Sequence, residues 1–326
     1  MYLYILGRPH SGSTILNILL GNGASAVSVG QLVSDIGKSE NFCSCGARIG
    51  ACPFWYEVRR QVEAAGFPWD EVTAASMEQA HVKWLWRTWR AGPQDAHFTR
   101  LSAMTRAVEQ AVTTTAGKPV LCDSSKEATR ALFLMKYYPT ARMIFLVRDP
   151  RSAIGSHYWR FQSERRFHFL RKNHFLPRWM GPIVLTLAAA SWTIGNLLGE
   201  LAVRVAPERV LILRYEDLRD RPKETQARIT DAFGIEFGDV RDMLDRGAVV
   251  EIGHNIGGNQ VRLEQDVRFD PNKERTRPPL PRWLERMTTA LCWPLLRRYG
   301  YEIRNPSDFP SGSNSSPGGV PTASRS

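Results

Sequence analysis

Residues 7–14 read Gly7-Arg8-Pro9-His10-Ser11-Gly12-Ser13-Thr14. The apolar run at residues 2–6 precedes this stretch, and the mostly apolar residues 15–20 follow it, which predicts a strand, a tight loop and a helix. The two glycines and the following Ser-Thr have the spacing of a phosphate loop, in which backbone amides and the start of a helix face an anion. The stretch therefore predicts a phosphate-binding loop in an α/β protein.

One position departs from the loop of ATP- and GTP-hydrolysing proteins, because Ser13 stands where those proteins have Lys. Without that Lys, the loop lacks a main contact to the β- and γ-phosphates and a support for magnesium chemistry. The loop therefore favours a phosphate that is not part of a triphosphate. The alternative is an ordinary Gly/Ser turn in which Ser11 or Ser13 caps the helix.

A second anion site is predicted after the apolar run at residues 142–147. Arg148 follows this run directly, and Ser156 lies eight residues later in a helix that begins after Pro150. Ligands bind at the carboxyl ends of strands in open α/β sheets, and a guanidinium group is the natural fork for a phosphate. The alternative is a surface ion pair between Arg148 and Asp149.

The remaining chain alternates apolar strands with helical patterns. Strands are predicted at residues 27–30, 120–122 and 210–213, and helices at residues 54–66, 76–91, 100–116, 128–138, 182–205 and 222–234. This alternation predicts an α/β three-layer sandwich with a central, mainly parallel sheet and a P-loop-like phosphate-binding loop. One domain is expected over residues 1–303, and the Pro-, Ser- and Gly-rich residues 304–326 are expected to form a disordered tail.

The two anion sites together resemble those of the sulfotransferases that use 3′-phosphoadenosine 5′-phosphosulfate (PAPS), over residues 1–303. In that family a loop ending Ser-Gly-(Ser/Thr)-Thr binds the 5′-phosphosulfate, and an Arg and a Ser eight positions apart bind the 3′-phosphate. These features match residues 10–14, and Arg148 with Ser156. Asp123-Ser124-Ser125-Lys126 looks like the segment that carries a catalytic Lys in tyrosylprotein-type and several bacterial members. The chain is thus identified as a bacterial-type, P-loop-like sulfotransferase.

Further segments extend the resemblance, and two positions depart from it. Tyr215 matches a Tyr near the adenine, and residues 254–262 resemble a late nucleotide-contacting segment of bacterial members. The family usually has Lys or Arg at the position of His10, and many bacterial relatives have Glu, a plausible general base, at the position of Gln31. Because Gln cannot accept a proton, the general base is expected elsewhere, with Asp35 as the first candidate and Glu40, His157 and His254 as alternatives.

The resemblance implies an enzyme that transfers a sulfuryl group from PAPS to a hydroxyl or amine. Lys126 and His10, or Arg8 in place of His10, are expected to stabilise the leaving phosphate, with Asp35 as the base. The residues expected to bind the nucleotide are Arg8, His10, Ser11, Gly12, Ser13, Thr14, Arg148, Ser156, Tyr215, Asn259 and Arg262. The alternatives are a P-loop-type kinase or nucleotidase and a non-catalytic nucleotide-binding relative.

The net charge of +11 favours an anionic partner. Nucleic acid is not expected, because no recognition motif accompanies the charge. Basic and aromatic residues mix over residues 160–178, which suits either an anionic membrane surface or a solvated helix beside the acceptor pocket. Residues 179–199 are about long enough to span a bilayer, yet their polar residues favour a buried or half-buried helix. The expected acceptor is a small molecule, a glycan or a lipid-linked compound, and the expected location is cytoplasmic, with peripheral membrane contact left open.

Three cysteines cluster in the sequence as Cys43-x-Cys45-x6-Cys52. A structural zinc site requires four ligands, and the spacing offers no obvious fourth one, since His81 is distant. Reduced thiols or one local disulfide are therefore favoured, and no metal is expected.

Overall fold

The computed structural model describes residues 1–164, 177–237, 249–258, 263, 267–268 and 280–303. Five strands form its central sheet: β1 (Tyr2–Gly7), β2 (Ala26–Gly30), β3 (Val120–Asp123), β4 (Arg142–Val147) and β5 (Val210–Arg214). Their order is β2-β3-β1-β4-β5, and every neighbouring pair is parallel. All five strands therefore end at one edge of the sheet, called the carboxyl edge from here on.

Helices cover both faces of this sheet. They are α1 (Ser13–Asn22), α2 (Leu32–Asp35), α3 (Pro53–Ala64), α4 (Trp69–Gln79), α5 (Leu85–Arg90), α6 (Ala96–Ala116), α7 (Ala128–Tyr137), α8 (Pro150–Glu164), α9 (Gly181–Val205), α10 (Tyr215–Asp220), α11 (Pro222–Phe233) and α12 (Arg282–Arg298). A separate antiparallel pair joins β6 (Val249–Val250) to β7 (Val267–Arg268).

The side chains of β1 alternate between two apolar cores, as expected for a strand buried on both faces. Leu3 and Ile5 pack with α1 and with Ile229 of α11 in one core. Tyr2 and Tyr4 belong to the other core, together with residues of α3, α6, α7 and α9. The α/β three-layer sandwich with a parallel sheet is therefore confirmed.

One predicted helix, residues 76–91, is wrong as a single element. Helix α4 ends at Gln79, a 3₁₀ turn spans Val82–Trp84, and α5 begins at Leu85. The chain breaks because His81 is extended, at φ −110° and ψ 124°, and its carbonyl accepts a hydrogen bond of 3.2 Å from Thr129 on α7. A tertiary contact thus overrides the local helical preference. The sequence analysis also missed α12, and the predicted tail at 304–326 lies outside the described residues.

Helix α9 is half-buried, in agreement with the prediction for this part of the chain. By length and composition alone it is apolar enough to cross a membrane, a test that core helices of soluble proteins also pass. One face packs against the core through Val184, Ala188 and Trp192. The opposite face leaves four large apolar side chains exposed at helical spacing: Ile183, Leu187, Ile194 and Leu197.

Candidate functional site

The carboxyl edge carries, after each of the five strands, a residue that the sequence analysis singled out. The phosphate loop follows β1, and Lys126 and Arg148 follow the two strands on either side of it, β3 and β4. Gln31 follows β2, and Tyr215 follows β5. Motifs that are far apart in the chain therefore meet at the edge where open α/β sheets bind ligands.

The phosphate loop leads into helix α1, whose N-terminus has no side-chain cap. Gly12 occupies the N-cap position of α1 in the left-handed region, at φ 84°, and no side chain accepts from the first amides of the helix. Neither Ser11 nor Ser13 therefore caps the helix, which excludes the simple capped turn. The amide of Ser11 donates to the carbonyl of Arg8 at 3.0 Å, so the amides that remain for an anion are those of residues 12–14.

The hydroxyl of Ser11 is buried inside the loop. Ser11 is 2% exposed, and within the described residues its Oγ has no hydrogen-bond partner. Leaving such a group unsatisfied costs about 1–3 kcal/mol. A ligand with oxygen acceptors in the loop would remove that cost, so Ser11 fits the role predicted for it.

Tyr215 joins the loop to Arg148, the residue predicted for the second anion site. A Cβ at position 12 would overlap the ring of Tyr215, so only glycine, which also tolerates the positive φ, fits there. The guanidinium of Arg148 lies 4.7 Å from the centroid of the same ring, and its Nη1 donates to the carbonyl of His10 at 2.6 Å. Tyr215 is only 5% exposed, so in this structure it supports Arg148 and the loop instead of offering an open face to a base.

Arg148 is buried and does not form the alternative surface pair with Asp149. Its side chain is 6% exposed, and the neighbouring Asp149 pairs instead with Arg151 at 2.6 Å. A buried guanidinium beside a phosphate loop is typical of an anion site, since Arg is rarely buried without a charged or polar role. The surface-pair alternative is therefore excluded.

Helix α8 reaches the loop through an edge-to-face contact between the rings of His157 and His10, with centroids 4.6 Å apart. Ser156 precedes His157 on this helix and donates its hydroxyl to the carbonyl of Ser152 at 3.2 Å. His10 has a left-handed backbone, at φ 67°, which turns its carbonyl to Arg148 and its ring to α8. The contact brings the helix that carries Ser156 beside the loop.

Lys126 follows β3 in a backbone conformation that is costly for a residue with a side chain, at φ 68°. Hydrogen bonds on both sides hold it. Before it, Ser125 donates from Oγ to Asp123 at 2.5 Å and accepts from the amide of Val33 at 2.9 Å. After it, the hydroxyl of Tyr4 accepts from the amide of Glu127 at 2.7 Å. These contacts fix the direction in which Lys126 leaves the sheet.

Burial lowers the pKa of Lys126 to about 8, although the nearby Glu127 carboxylate opposes the shift. Burial also raises the pKa of Glu127 to about 7, against the effect of Arg8 and Lys126. Arg8 itself donates from Nη2 to Ser191 of α9 at 2.8 Å. The carboxyl group of Glu127 therefore lies close to two cations, Lys126 and Arg8, beside the phosphate loop. The sequence analysis did not select Glu127, and its position next to Lys126 was the signal available.

Asp35, the predicted base, lies on α2 close to the end of β2. It is 8% exposed, and its carboxylate accepts hydrogen bonds from Ser34, Lys38 and Asn41 at 2.7, 3.3 and 3.1 Å. Three donors thus already occupy its oxygen atoms. A carboxylate held in this way suits a structural contact better than a proton acceptor.

The end of β2 is paired with a late segment of the chain. The amide of Gln31 donates to the carbonyl of Ile256 at 2.7 Å, and Gly30, at φ 77°, allows an approach of Ile256 that any Cβ would block. Gly257 lies directly against the carboxylate of Asp35. Residues 254–258 therefore border the carboxyl edge. The predicted nucleotide contacts Asn259 and Arg262 lie outside the described residues.

The chain has recognisable similarity to known proteins. The model of the sulfotransferase family matches residues 3–239. The chain is similar to the sulfotransferase domain of the olefin synthase from Synechococcus PCC 7002, at 19% identity over 93% of this chain and 95% of that one, with a TM-score of 0.48. A sulfotransferase domain from the curacin biosynthetic pathway is 18% identical over 93% and 98%, with a TM-score of 0.49.

A sulfotransferase from Mycobacterium avium is 15% identical over 92% of this chain and 77% of that one, with a TM-score of 0.47. Among curated proteins, none matches the chain. The family model covers more than half of the chain and includes the phosphate loop, Lys126, Arg148 and Tyr215. The chain therefore belongs to the sulfotransferase family.

Proposed function

We propose that this protein transfers a sulfuryl group from PAPS to a hydroxyl or amine of its acceptor. The observation that carries this proposal is the link between the phosphate loop and the buried Arg148, made by Tyr215 and by the carbonyl of His10. PAPS carries anionic groups at both its 5′ and 3′ positions. A loop and a separate guanidinium on one edge of a sheet suit a ligand with two such groups.

The proposed roles follow from these positions. The amides of residues 12–14 and the hydroxyl of Ser11 bind the 5′-phosphate, while Arg148 and Ser156 bind the 3′-phosphate. The acceptor atom forms a bond to sulfur as the bond from sulfur to the phosphate oxygen breaks, and the adenosine 3′,5′-bisphosphate leaves. Lys126 stabilises the negative charge that builds on that leaving oxygen, with His10 as a second group.

The proposed general base is Glu127 in place of Asp35. Glu127 is half-buried, and its carboxylate accepts no hydrogen bond among the residues described. Its pKa of about 7 is close to the working pH, where a base is both deprotonated and able to take a proton. Asp35 is already bound by three donors.

A transfer assay tests the function. Purified protein is incubated with PAPS carrying labelled sulfur and with a cell extract, and mass spectrometry identifies the labelled product. Titration calorimetry with adenosine 3′,5′-bisphosphate accompanies the assay. Binding without transfer would favour a non-catalytic relative, and magnesium-dependent ATP hydrolysis without bisphosphate binding would favour the kinase or nucleotidase alternative.

We also propose a cytoplasmic enzyme with peripheral contact to anionic membranes, acting on a lipid-linked acceptor. Five free cysteines fit a reducing compartment. The exposed apolar face of α9 supports contact with a lipid surface, and the net charge of +11 supports anionic lipid. Arg8 donates to Ser191 on the same helix, which connects that surface to the phosphate loop.

A membrane-binding experiment separates the exposed face of α9 from the general positive charge. The double variant Leu187→Glu with Ile194→Glu is expected to co-sediment about tenfold less with anionic liposomes, because each residue loses apolar burial and gains repulsion. Met77→Glu, at an exposed site on α4, is the matched control and should bind like the wild type. Equal binding of both variants would contradict the role of α9.

A further inference from the structure

Four side chains of the types that bind metals converge beside residues 254–258, the segment that borders the carboxyl edge. They are Cys43, Cys45, Cys52 and His254, and their donor atoms all lie within 4.8 Å of one another. The three thiols come from the loop before α3, whereas His254 comes from the segment that pairs with β2. The fourth donor that the sequence spacing does not reveal is therefore supplied by the fold.

Three of the distances between these donors are close to the edges of a tetrahedral site. The sulfurs of Cys45 and Cys52 are 3.6 Å apart, and Nδ1 of His254 lies 3.3 Å from the sulfur of Cys52 and 3.8 Å from that of Cys43. Zinc bonds of about 2.3 Å to sulfur and 2.0–2.1 Å to nitrogen give tetrahedron edges of about 3.5–3.8 Å. A disulfide would instead bring two sulfurs to about 2.05 Å.

Hydrogen bonds that involve none of the four donor atoms position the cluster. Residues 41–49 form a small hairpin, in which the amide of Cys43 donates to the carbonyl of Ala47 at 2.8 Å. Ser44 ties this hairpin to the late segment, because its hydroxyl donates to the carbonyl of Gly253 at 2.8 Å and accepts from the amide of Asn255 at 2.8 Å. The donors are thus brought together before any metal binds.

The imidazole of His254 is held in place as well. The ring stacks on the ring of Phe54, with centroids 4.8 Å apart and an angle of 3° between the ring planes. The backbone carbonyl of His254 accepts a hydrogen bond from Nε1 of Trp55 at 3.1 Å. Both partners lie at the start of α3. The orientation of the ring is therefore set by packing, as expected for a metal ligand whose neighbours fix its geometry.

We propose that Cys43, Cys45, Cys52 and His254 bind a structural zinc ion. Three thiolates and one imidazole form the ligand set that selects zinc, and four protein ligands leave no open position for catalysis. This proposal replaces the expectation of no metal drawn from the sequence. It does not depend on the proposed sulfuryl transfer, since the site would bind zinc whether or not the chain is catalytic.

The proposed zinc ion would join the loop before α3 to residues 254–258, far along the chain. That late segment bridges to β2 at Gly30 and lies against Gln31 and Asp35. The metal would therefore fix one wall of the carboxyl edge without touching the phosphate loop. A crosslink between distant segments stabilises the folded state, because the unfolded chain lacks the assembled site.

Metal analysis of the purified wild-type chain is the first test. Protein expressed with zinc in the medium is expected to contain one zinc ion per chain after desalting. Protein expressed with cobalt should show the visible absorption of tetrahedral cobalt together with thiolate charge-transfer bands. Wild-type protein that is folded by circular dichroism and holds no metal under either condition would overturn the proposal.

Variants then assign the ligands. Cys52→Ser is expected to lose the stoichiometric zinc, whereas Cys292→Ser, at a buried cysteine on α12 outside the cluster, should retain it. His254→Cys provides four thiolates and should keep the metal with an altered cobalt spectrum. This variant keeps the test decisive if Cys52→Ser fails to fold. Full zinc content in Cys52→Ser, or loss of zinc in Cys292→Ser, would contradict the assignment.

Intact mass under non-reducing conditions addresses the alternative of a disulfide. Five free thiols and an unchanged mass are expected after the metal is removed by a chelator under inert gas. A mass lower by two hydrogens in freshly purified protein, with Cys45 linked to Cys52, would overturn the zinc site. Removal of zinc is also expected to lower the Tm by about 10 °C, and restored zinc should reverse the shift.

Discussion

Replacement of Lys126 by alanine is expected to lower kcat about 10²–10³-fold and to change the Kd of adenosine 3′,5′-bisphosphate less than threefold. The proposed contact of the ammonium group is with charge that forms only as the leaving oxygen separates from sulfur, so its loss affects the transition state far more than the ground state. Mutations of single groups that stabilise such charge have effects of about this size.

The conformation of Lys126 supports its proposed role at the leaving oxygen, because its backbone is held in a left-handed conformation by hydrogen bonds of its neighbours. A residue held at this cost is typical of a functional site. Lys126→Arg should recover part of kcat, and Lys223→Ala, at an exposed position on α11, should behave like the wild type. Unchanged turnover in Lys126→Ala, with folding confirmed, would show that another group stabilises the leaving oxygen.

The pH dependence follows from the same pair of groups. Glu127, with its pKa raised to about 7, must lose its proton to act as a base, so kcat/KM should rise with pH through about 7. Lys126, with its pKa lowered to about 8, must keep its proton, so kcat/KM should fall as pH rises through about 8. A narrow bell-shaped dependence of kcat/KM on pH is therefore expected, with its maximum between about 7 and 8. Glu127→Gln should remove the rising limb along with most activity, whereas a purely positioning role would leave that limb in place.

The phosphate loop and Arg148 were predictable from the sequence because each lies in a local pattern. An apolar strand followed by glycines or by an Arg places those residues at the carboxyl end of the strand, whatever the rest of the fold. The parallel sheet follows from the alternation of strands and helices in the same way. These features can be predicted without knowing which strands are neighbours in the sheet.

Other parts of the site depend on the order of the strands, which local patterns do not give. Tyr215 was predicted to lie near the adenine, and because β5 lies next to β4 its ring also packs between Gly12 and Arg148. Glu127 gains its raised pKa from burial in the folded chain, against the opposing effect of Arg8 from the loop after β1.

His254 joins three distant thiols only because its segment pairs with β2. Each of these effects arises from contacts between elements that are distant in sequence, which spacing and periodicity do not report.

Replacement of Arg148 by alanine is expected to raise the Kd of adenosine 3′,5′-bisphosphate about 100-fold, equivalent to about 2.7 kcal/mol. This loss of affinity is large because Arg148 is buried, and a buried guanidinium binds phosphate through charge-assisted hydrogen bonds that solvent weakens little. The same variant should bind adenosine 5′-phosphosulfate, which lacks the 3′-phosphate, as the wild type does. The difference between the two ligands isolates the contact with the 3′-phosphate.

Arg148 also donates to the carbonyl of His10, so the alanine variant removes a contact that supports the loop as well. The two ligands separate these effects, since a disturbed loop weakens both of them and a lost 3′-phosphate contact weakens only one. Arg151→Ala removes a neighbouring guanidinium that is already paired with Asp149, and it should leave both affinities unchanged. If Arg148→Ala weakened the binding of both ligands equally, Arg148 would support the loop and would not bind the 3′-phosphate.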